Sequence, residues 1–245
     1  MKQNIYDDAT FFEGYYALRK TEAGLNKVLE VPAFRSMLSK LNGKVVLDLG
    51  CGFGDNCMYA VKQGAKKVIG MDISGSMLTV ARERYVHPDI TFIRCPMEDW
   101  QPVAGGFDWV ISSLAIHYVQ DYAGLVQKIN RSLVSGGRLL FSVEHPVCTA
   151  REAQQWVLDA KGQELYWPVD HYQQEGARNT TWFVKNVLKY HRTMETYINV
   201  LIDNGFKITR LLEPEPLPAF VKEKPALALH SRRPPFLLLA AQKIS

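Results

Sequence analysis

In "VVLDLGCGFGDNCMYA", Val45 to Ala60, glycines at alternate positions (Gly50, Gly52, Gly54) stand between a strand-like apolar run and a helix-like pattern, two residues after Asp48. A turn of this kind clears side chains from the place where unpaired backbone N–H groups and the positive end of a helix dipole face outward, so an anionic or polar group binds there. About twenty residues on, Asp72 closes the next apolar run, where a carboxylate can accept both hydroxyls of a ribose. Glu98 and Asp99 follow a third run, and "FDWVISS" ends a fourth. The ligand class is therefore a dinucleotide, a nucleotide phosphate or another nucleoside cofactor. A dinucleotide fingerprint requires a third glycine where its helix packs on the strand. Counted from Gly50, Asp55 holds that position, which disfavours the dinucleotide-dependent oxidoreductase.

The elements that must carry these residues alternate. "KVVLDLG", "KKVIGMDIS", "ITFIRCP", "FDWVISS" and "RLLFSVEHP" read as five strands, apolar enough to be covered on both faces. Between them come a helix to about Lys62, stopped at "QGA", and one begun at Ser74 with Met77, Leu78 and Ala81 on one face. A third, capped by Asp121, carries Leu125, Ile129 and Leu133 and is stopped by Ser135–Gly137. Alternation of this sort predicts an α/β fold, a doubly wound and mostly parallel sheet. From Val147 to about Tyr190 the rhythm lapses into polar and aromatic residues. A helix with Met194, Tyr197, Ile198, Leu201 and Ile202 on one face then leads to two closing strands, "FKITRLLEP" and "PFLLLAAQK". The expected organisation is one domain: an N-terminal lid and helix (1–42), a cofactor-binding core (43–146), an inserted cap (147–190) over the carboxyl edge, and closing elements (191–245).

Composition limits the function classes. The 245 residues are 47% hydrophobic and 22% charged, with a net charge of +4 and scattered Lys and Arg, so no basic stripe marks a nucleic-acid binder. The longest apolar stretches are too short to span a bilayer, and "MKQNIYDDATFF" is unlike a signal peptide. Four cysteines without a C-x-x-C pair fit reduced thiols and a cytoplasmic setting. His145 and Cys148, three apart, do not make a metal site.

Taken together, "VLDLGCGFG", Asp72 in "VIGMDIS", "FDWVISSLAIHYV" and "LVSGGRLLFSVEHP" resemble the class I S-adenosylmethionine-dependent methyltransferases, in their small-molecule, type 11-like branch, over roughly residues 43–146. The resemblance implies a seven-stranded Rossmann-like sheet, S-adenosyl-L-methionine as cofactor and S-adenosyl-L-homocysteine as product. It implies that the backbone at Gly50, Cys51 and Gly52 meets the methionine half of the cofactor, with Asp48 ordering the turn near its amino group. Asp72 takes the ribose hydroxyls, Ile73 and Met77 lie against the adenine, and Ser113 borders the cofactor. Relatives commonly carry an aspartate where this chain has Pro96; Met97 N–H and the Glu98 carboxylate are the substitutes. Arg19 is expected to pair with the cofactor carboxylate.

Methyl transfer from a sulfonium disperses charge, so catalysis rests on in-line positioning and exclusion of water. A base is needed only for a protonated amine or a hydroxyl, and His117, just past the fourth strand, is best placed, ahead of His145. Tyr6, Tyr16, His117, His145, His171 and Tyr172 are the expected substrate contacts, the last two within an inserted stretch, Tyr166 to Trp182, that mixes aromatics with charge. The expected acceptor is the nitrogen or oxygen of a small molecule, with no nucleic acid or membrane partner, in a monomer or homodimer. A tRNA or rRNA methyltransferase and a catalytically silent cofactor-binding protein are the alternatives; Ser112-Ser113-Leu114-Ala115 stands where base-directed amino methyltransferases carry an N-P-P-type motif.

Overall fold

The computed structural model describes residues 3–20 and 24–244. A short turn at Ile5–Asp7 leads into α1 (Ala9–Lys20), and a π-helical turn at Asn26–Glu30 runs into α2 (Val31–Met37). Strands β1 (Val45–Leu49), β2 (Lys67–Asp72), β3 (Ile90–Arg94), β4 (Phe107–Ser113) and β5 (Leu133–Glu144) pair in parallel. They are linked by α3 (Asp55–Lys62), α4 (Gly75–Arg84) and α5 (Tyr122–Ser132). After α6 (Pro146–Thr149) the inserted segment forms two antiparallel hairpins, β6 (Val157–Leu158) with β7 (Glu164–Tyr166), and β8 (Gly176–Trp182) with β9 (Val184–His191). Then come α7 (Met194–Asp203), β10 (Phe206–Leu212), α8 (Pro218–Glu223) and β11 (Phe236–Lys243). The main sheet has seven strands in the order β10-β11-β5-β4-β1-β2-β3, with β11 antiparallel to both neighbours.

Successive strand residues point to opposite faces, and each face buries its own set. Leu47, Val110, Leu139 and Leu239 join one core with α5 and α7, while Val46, Ile111, Leu140 and Leu238 join the other with α2 and α3. That double covering is why the strands read as unbroken apolar runs. The chain runs outward from β1 through β2 to β3 and then crosses back to β4, so the sheet has its switch point between β1 and β4, where ligands of such sheets bind.

Two boundaries differ from those the sequence suggests. Helix α5 ends at Ser132; Leu133 is already extended and pairs with Phe107, and Ser135–Gly137 lie within β5. Gly136, at φ 70°, lets the strand bulge there instead of stopping the helix. The hairpin β8–β9 shows little apolar alternation because, beside Val187, its buried inward positions are the polar Arg178, Thr180, Lys189 and His191. No helix among the described residues is long and apolar enough to cross a membrane.

Candidate active site

The glycine turn is shaped by its hydrogen bonds. Gly50 N and Cys51 N both donate to Met71 O at 2.7 and 3.0 Å, and Gly52 N donates to Asp72 Oδ2 at 2.8 Å. Gly50, Gly52 and Gly54 have φ of 73°, 53° and 80°, a left-handed region that side chains strain to adopt. A Cβ on Gly50 would lie 2.4 Å from Ala115 Cβ and 2.8 Å from Met97 Cε, so the segments after β4 and β3 close on the turn. A Cβ on Gly52 would meet nothing within 4 Å. The turn thus presents bare backbone to open space on one side.

Two buried aspartates flank it. Asp72 spans the turn, accepting from Gly52 N at one oxygen and from Ser74 N at the other at 2.8 Å; burial raises its pKa against those two bonds. Each carboxylate oxygen has a second lone pair, so acceptor capacity remains. Among the described residues Asp48 accepts only the Cys57 thiol, at 3.4 Å to Oδ2, while Oδ1 is buried with no partner. Burial pushes Asp48 up to about 7. An orphaned carboxylate oxygen beside bare backbone is suited to a cationic group arriving from outside.

Of the other residues expected at the cofactor, Met77 is buried yet joins neither core, and Ile73 O accepts from Arg94 Nε at 3.1 Å. Met97 reaches Gly50, and Glu98 is half-buried with its carbonyl accepting Lys128 Nζ at 2.5 Å. Ser113 donates to Glu30 Oε1 at 2.8 Å, and Ser142, at the end of β5, donates to the same oxygen at 2.6 Å. Ser142 Oγ also accepts from Leu114 N, whose residue has the positive φ of 51°. Glu30, 1% exposed on the π-helical turn, therefore fastens the ends of β4 and β5 together. Its only local mark in the sequence is a single acid within the apolar stretch "VLEVPAF".

The N-terminal segment lies over these strand ends. Asp7 accepts from Ser74 Oγ (2.6 Å), Ser76 N (3.0 Å), Gly75 N (3.2 Å) and Arg94 (3.1 Å), capping α4, and the bonds from Ser74, Ser76, Asn4 and Gly75 pull its carboxyl down to about 2 against the effect of burial. Tyr6 places its hydroxyl 3.3 Å from that of Tyr118, and its ring packs edgewise on Phe11 and Tyr15. Arg19, expected on a ligand carboxylate, donates to Asp55 Oδ2 at 3.0 Å at the start of α3. Tyr16 stacks with Phe12 and packs on Phe53, with Lys20 and Arg84 over its ring.

Past β4, His117 is 2% exposed and its Nδ1 has no partner. Burial, helped by Lys189 and Arg192 and opposed by Glu144, pushes it down to about 4, so the ring is neutral. It can accept a hydrogen bond but holds a proton weakly. Glu144, ending β5, pairs with Lys189 of β9 at 2.5 Å, and Lys189 holds the Glu144 carboxyl below its usual range despite burial. The pair borders a cleft of about 500 Å³ walled by the residues before β6 and by the end of β8, including Gln154, Thr181 and Trp182. His145 is turned elsewhere: Nε2 bonds Glu213 at 2.7 Å and Nδ1 accepts from Val147 N as the cap of α6. Tyr172 fastens α7 and β9, its hydroxyl accepting from Met194 N and its carbonyl meeting His191. His171 is exposed beside Asp170 and borders a second, smaller hollow with Arg151 and Arg178. The structure thus gathers His117 and Tyr6 near the strand ends and gives His145 and Tyr172 structural partners.

Comparison with known proteins agrees with this fold. The model of the methyltransferase domain family matches residues 46–137. A solved Listeria monocytogenes protein described as an S-adenosylmethionine-dependent methyltransferase is 42% identical, with a TM-score of 0.84 over 87% of this chain and 96% of that one. An S-adenosylmethionine-dependent methyltransferase from Mesorhizobium loti is 39% identical, with a TM-score of 0.82 over 92% of this chain and 100% of that one. A Haemophilus influenzae protein of uncharacterized function is 36% identical over 99% of this chain and 98% of its own length. With its seven-stranded sheet and glycine turn, the chain belongs to the class I S-adenosylmethionine-dependent methyltransferases.

Proposed function

We propose that this enzyme methylates a nitrogen or oxygen of a small-molecule acceptor held between the carboxyl edge of the sheet and the inserted hairpins. The observation that carries this reading is the cleft of about 500 Å³ at the end of β5, bordered by the β8–β9 hairpin and sized for a metabolite. Names among more distant relatives range from trans-aconitate 2-methyltransferase to tRNA U34 carboxymethyltransferase, so the cleft rather than the family points to the acceptor.

When bound, the cofactor supplies an electrophilic methyl group on a sulfonium. The chain's residues fit it. Gly50, Cys51 and Gly52 offer bare backbone to its methionine half, and the orphaned Asp48 Oδ1 suits its amino group. Asp72 retains acceptor capacity that would take the ribose, and Ile73, Met77, Met97 and Glu98 would hold the base. Tyr6, Tyr118 and α1 keep water from the strand ends, and neutral His117 lines the reacting side. The N-terminal segment is read as a lid and the inserted segment as a cap.

Calorimetric titration with S-adenosylhomocysteine and a transfer assay over small amines, alcohols and bulk tRNA test this reading. Asp72→Ala should weaken cofactor binding by roughly 1.5–3 kcal/mol, the worth of hydrogen bonds to a charged group. Methylation of tRNA with no small acceptor turned over, or affinity unchanged in the Asp72 variant, would count against it.

A further inference from the structure

The cleft at the end of β5 carries more than a volume. Its charged lining is Glu144, Glu152 and Lys189. These do not share the opening equally. Lys189 has a side chain only 4% exposed and commits its ammonium to Glu144, whereas the Glu144 side chain is 22% exposed and Glu152 is exposed. The positive charge stands behind the wall and the negative charges stand at it. Amide and hydroxyl groups from Gln154, Asn179 and Thr181 complete the polar side, and Trp182 supplies an aromatic one. The Trp182 ring already has one ammonium, that of Lys189, at 5.5 Å from its centre, so its environment tolerates a cation.

The cleft also adjoins the reacting side of the molecule. Trp182 packs edgewise on Phe11 and Tyr15 at 5.4 and 5.6 Å, Tyr15 on Tyr6 at 5.2 Å, and Tyr6 reaches Tyr118. His117, the neighbour of Tyr118, feels both Glu144 and Lys189, and its buried Nδ1 lacks a hydrogen-bond partner. An incoming N–H donor is one group able to complete it.

We propose that the acceptor molecule carries an ammonium group as a recognition handle, read by Glu144 and Glu152 with Trp182 as its aromatic wall, while the atom that takes the methyl is a separate, unprotonated nitrogen or oxygen with a free lone pair. This rests on the small-molecule reading above and names the substrate class. A carboxylate acceptor is selected against, because it would face two acids while the only base of the lining is already paired. Glu144 gains its fixed position from Lys189 and from Gln154 Nε2 at 3.4 Å.

The test uses the enzyme saturated with S-adenosylhomocysteine, whose binding is measured first and separately; if that ligand fails to bind, it is the broader functional reading that falls. Benzylamine, benzoate and benzyl alcohol, alike in size and different in charge, are then titrated while the Trp182 indole N–H resonance is followed. Benzylamine should shift that resonance saturably and bind at least about tenfold more tightly than the other two, as a hydrogen-bonded charge requires. Glu152→Gln, an exposed change that leaves the fold alone, should weaken benzylamine several-fold. The double change Glu144→Gln with Lys189→Met, which removes the buried pair without stranding either charge, should weaken it about tenfold or more. Benzoate or the alcohol binding as well as the amine, affinity untouched by both variants, or a Trp182 resonance moved by none of the three would each overturn the proposal.

Discussion

Asp48 is held in an awkward electrostatic position, and the awkwardness can be measured. Folding raises its carboxyl from 3.8 to about 7, so ionisation opposes the ligand-free fold as pH climbs through that interval. Asp48→Asn should therefore melt higher than the parent at alkaline pH when no ligand is present. Binding a cationic amino group reverses the balance, because an opposite charge lowers a carboxyl pKa. Complex formation with S-adenosylhomocysteine should then release a proton near neutral pH, and affinity should rise as pH goes from about 5 to 7 and level above that. Calorimetry in buffers of different ionisation enthalpy reads the proton directly. Zero protons released by the parent enzyme, or the same number from Asp48→Asn, would show that Asp48 does not meet the amino group.

At the scale of elements, the π-helical turn before α2 matters through one residue. Glu30 takes two serine hydroxyls at one oxygen, and Ser142 in turn holds the strained backbone of Leu114. Glu30→Gln keeps an acceptor for both hydroxyls and should cost little, whereas Glu30→Ala leaves the buried Ser142 donor and the half-buried Ser113 donor unpaired and should cost about 1–3 kcal/mol in denaturant melts at unchanged m. The contrast also shows what the sequence could reveal. Strands β1, β2, β4 and β5 were legible because they bury apolar side chains on both faces, edge strand β3 because Ile90 and Phe92 alternate with more exposed residues, and the glycine turn and Asp72 because their spacing is local. Glu30 reaches Ser113 and Ser142 across tertiary distance, with no period to announce it. Lys189 and Glu144 are a similar case, meeting only once β9 folds back over β5. The β8–β9 hairpin stayed hidden because polar side chains fill most of its inward positions, Val187 excepted.

At the scale of the whole molecule, the N-terminal segment joins pieces that the core does not. Asp7 caps α4, Gln3 bonds Asn186 and Leu188 of the β8–β9 hairpin, and a Cβ on Gly14 would lie 2.6 Å from the Phe183 ring. We expect the segment to open and close as a unit, since such covers come from the less stable part of a fold. Amide exchange across residues 4–19 should slow when S-adenosylhomocysteine is added, while the sheet strands change little. Asp7→Asn should lower the protection of the same residues in the ligand-free enzyme, and acid should do likewise, once rates are divided by the intrinsic exchange rate at each pH, as pH falls from the ordinary carboxylate range of 3.8 toward 2. Equal protection of the segment with and without ligand would make it fixed structure.

The place of β11 in the sheet has a consequence for how the molecule is made. It lies between β5 and β10, both of which precede it in the chain, and β10 touches the sheet through β11 alone. On the ribosome, then, β10 emerges with no partner to receive it, and the edge of β5 stays open until Phe236–Lys243 leave the exit tunnel. Two apolar edges wait together during that interval, a window in which a nascent chain is prone to aggregate. A release factor acting before Phe236 would leave β1 to β5 with their crossover helices but with an unprotected edge. Yield of folded enzyme should thus depend on chaperones that shield newly made chains until Phe236–Lys243 pair with β5.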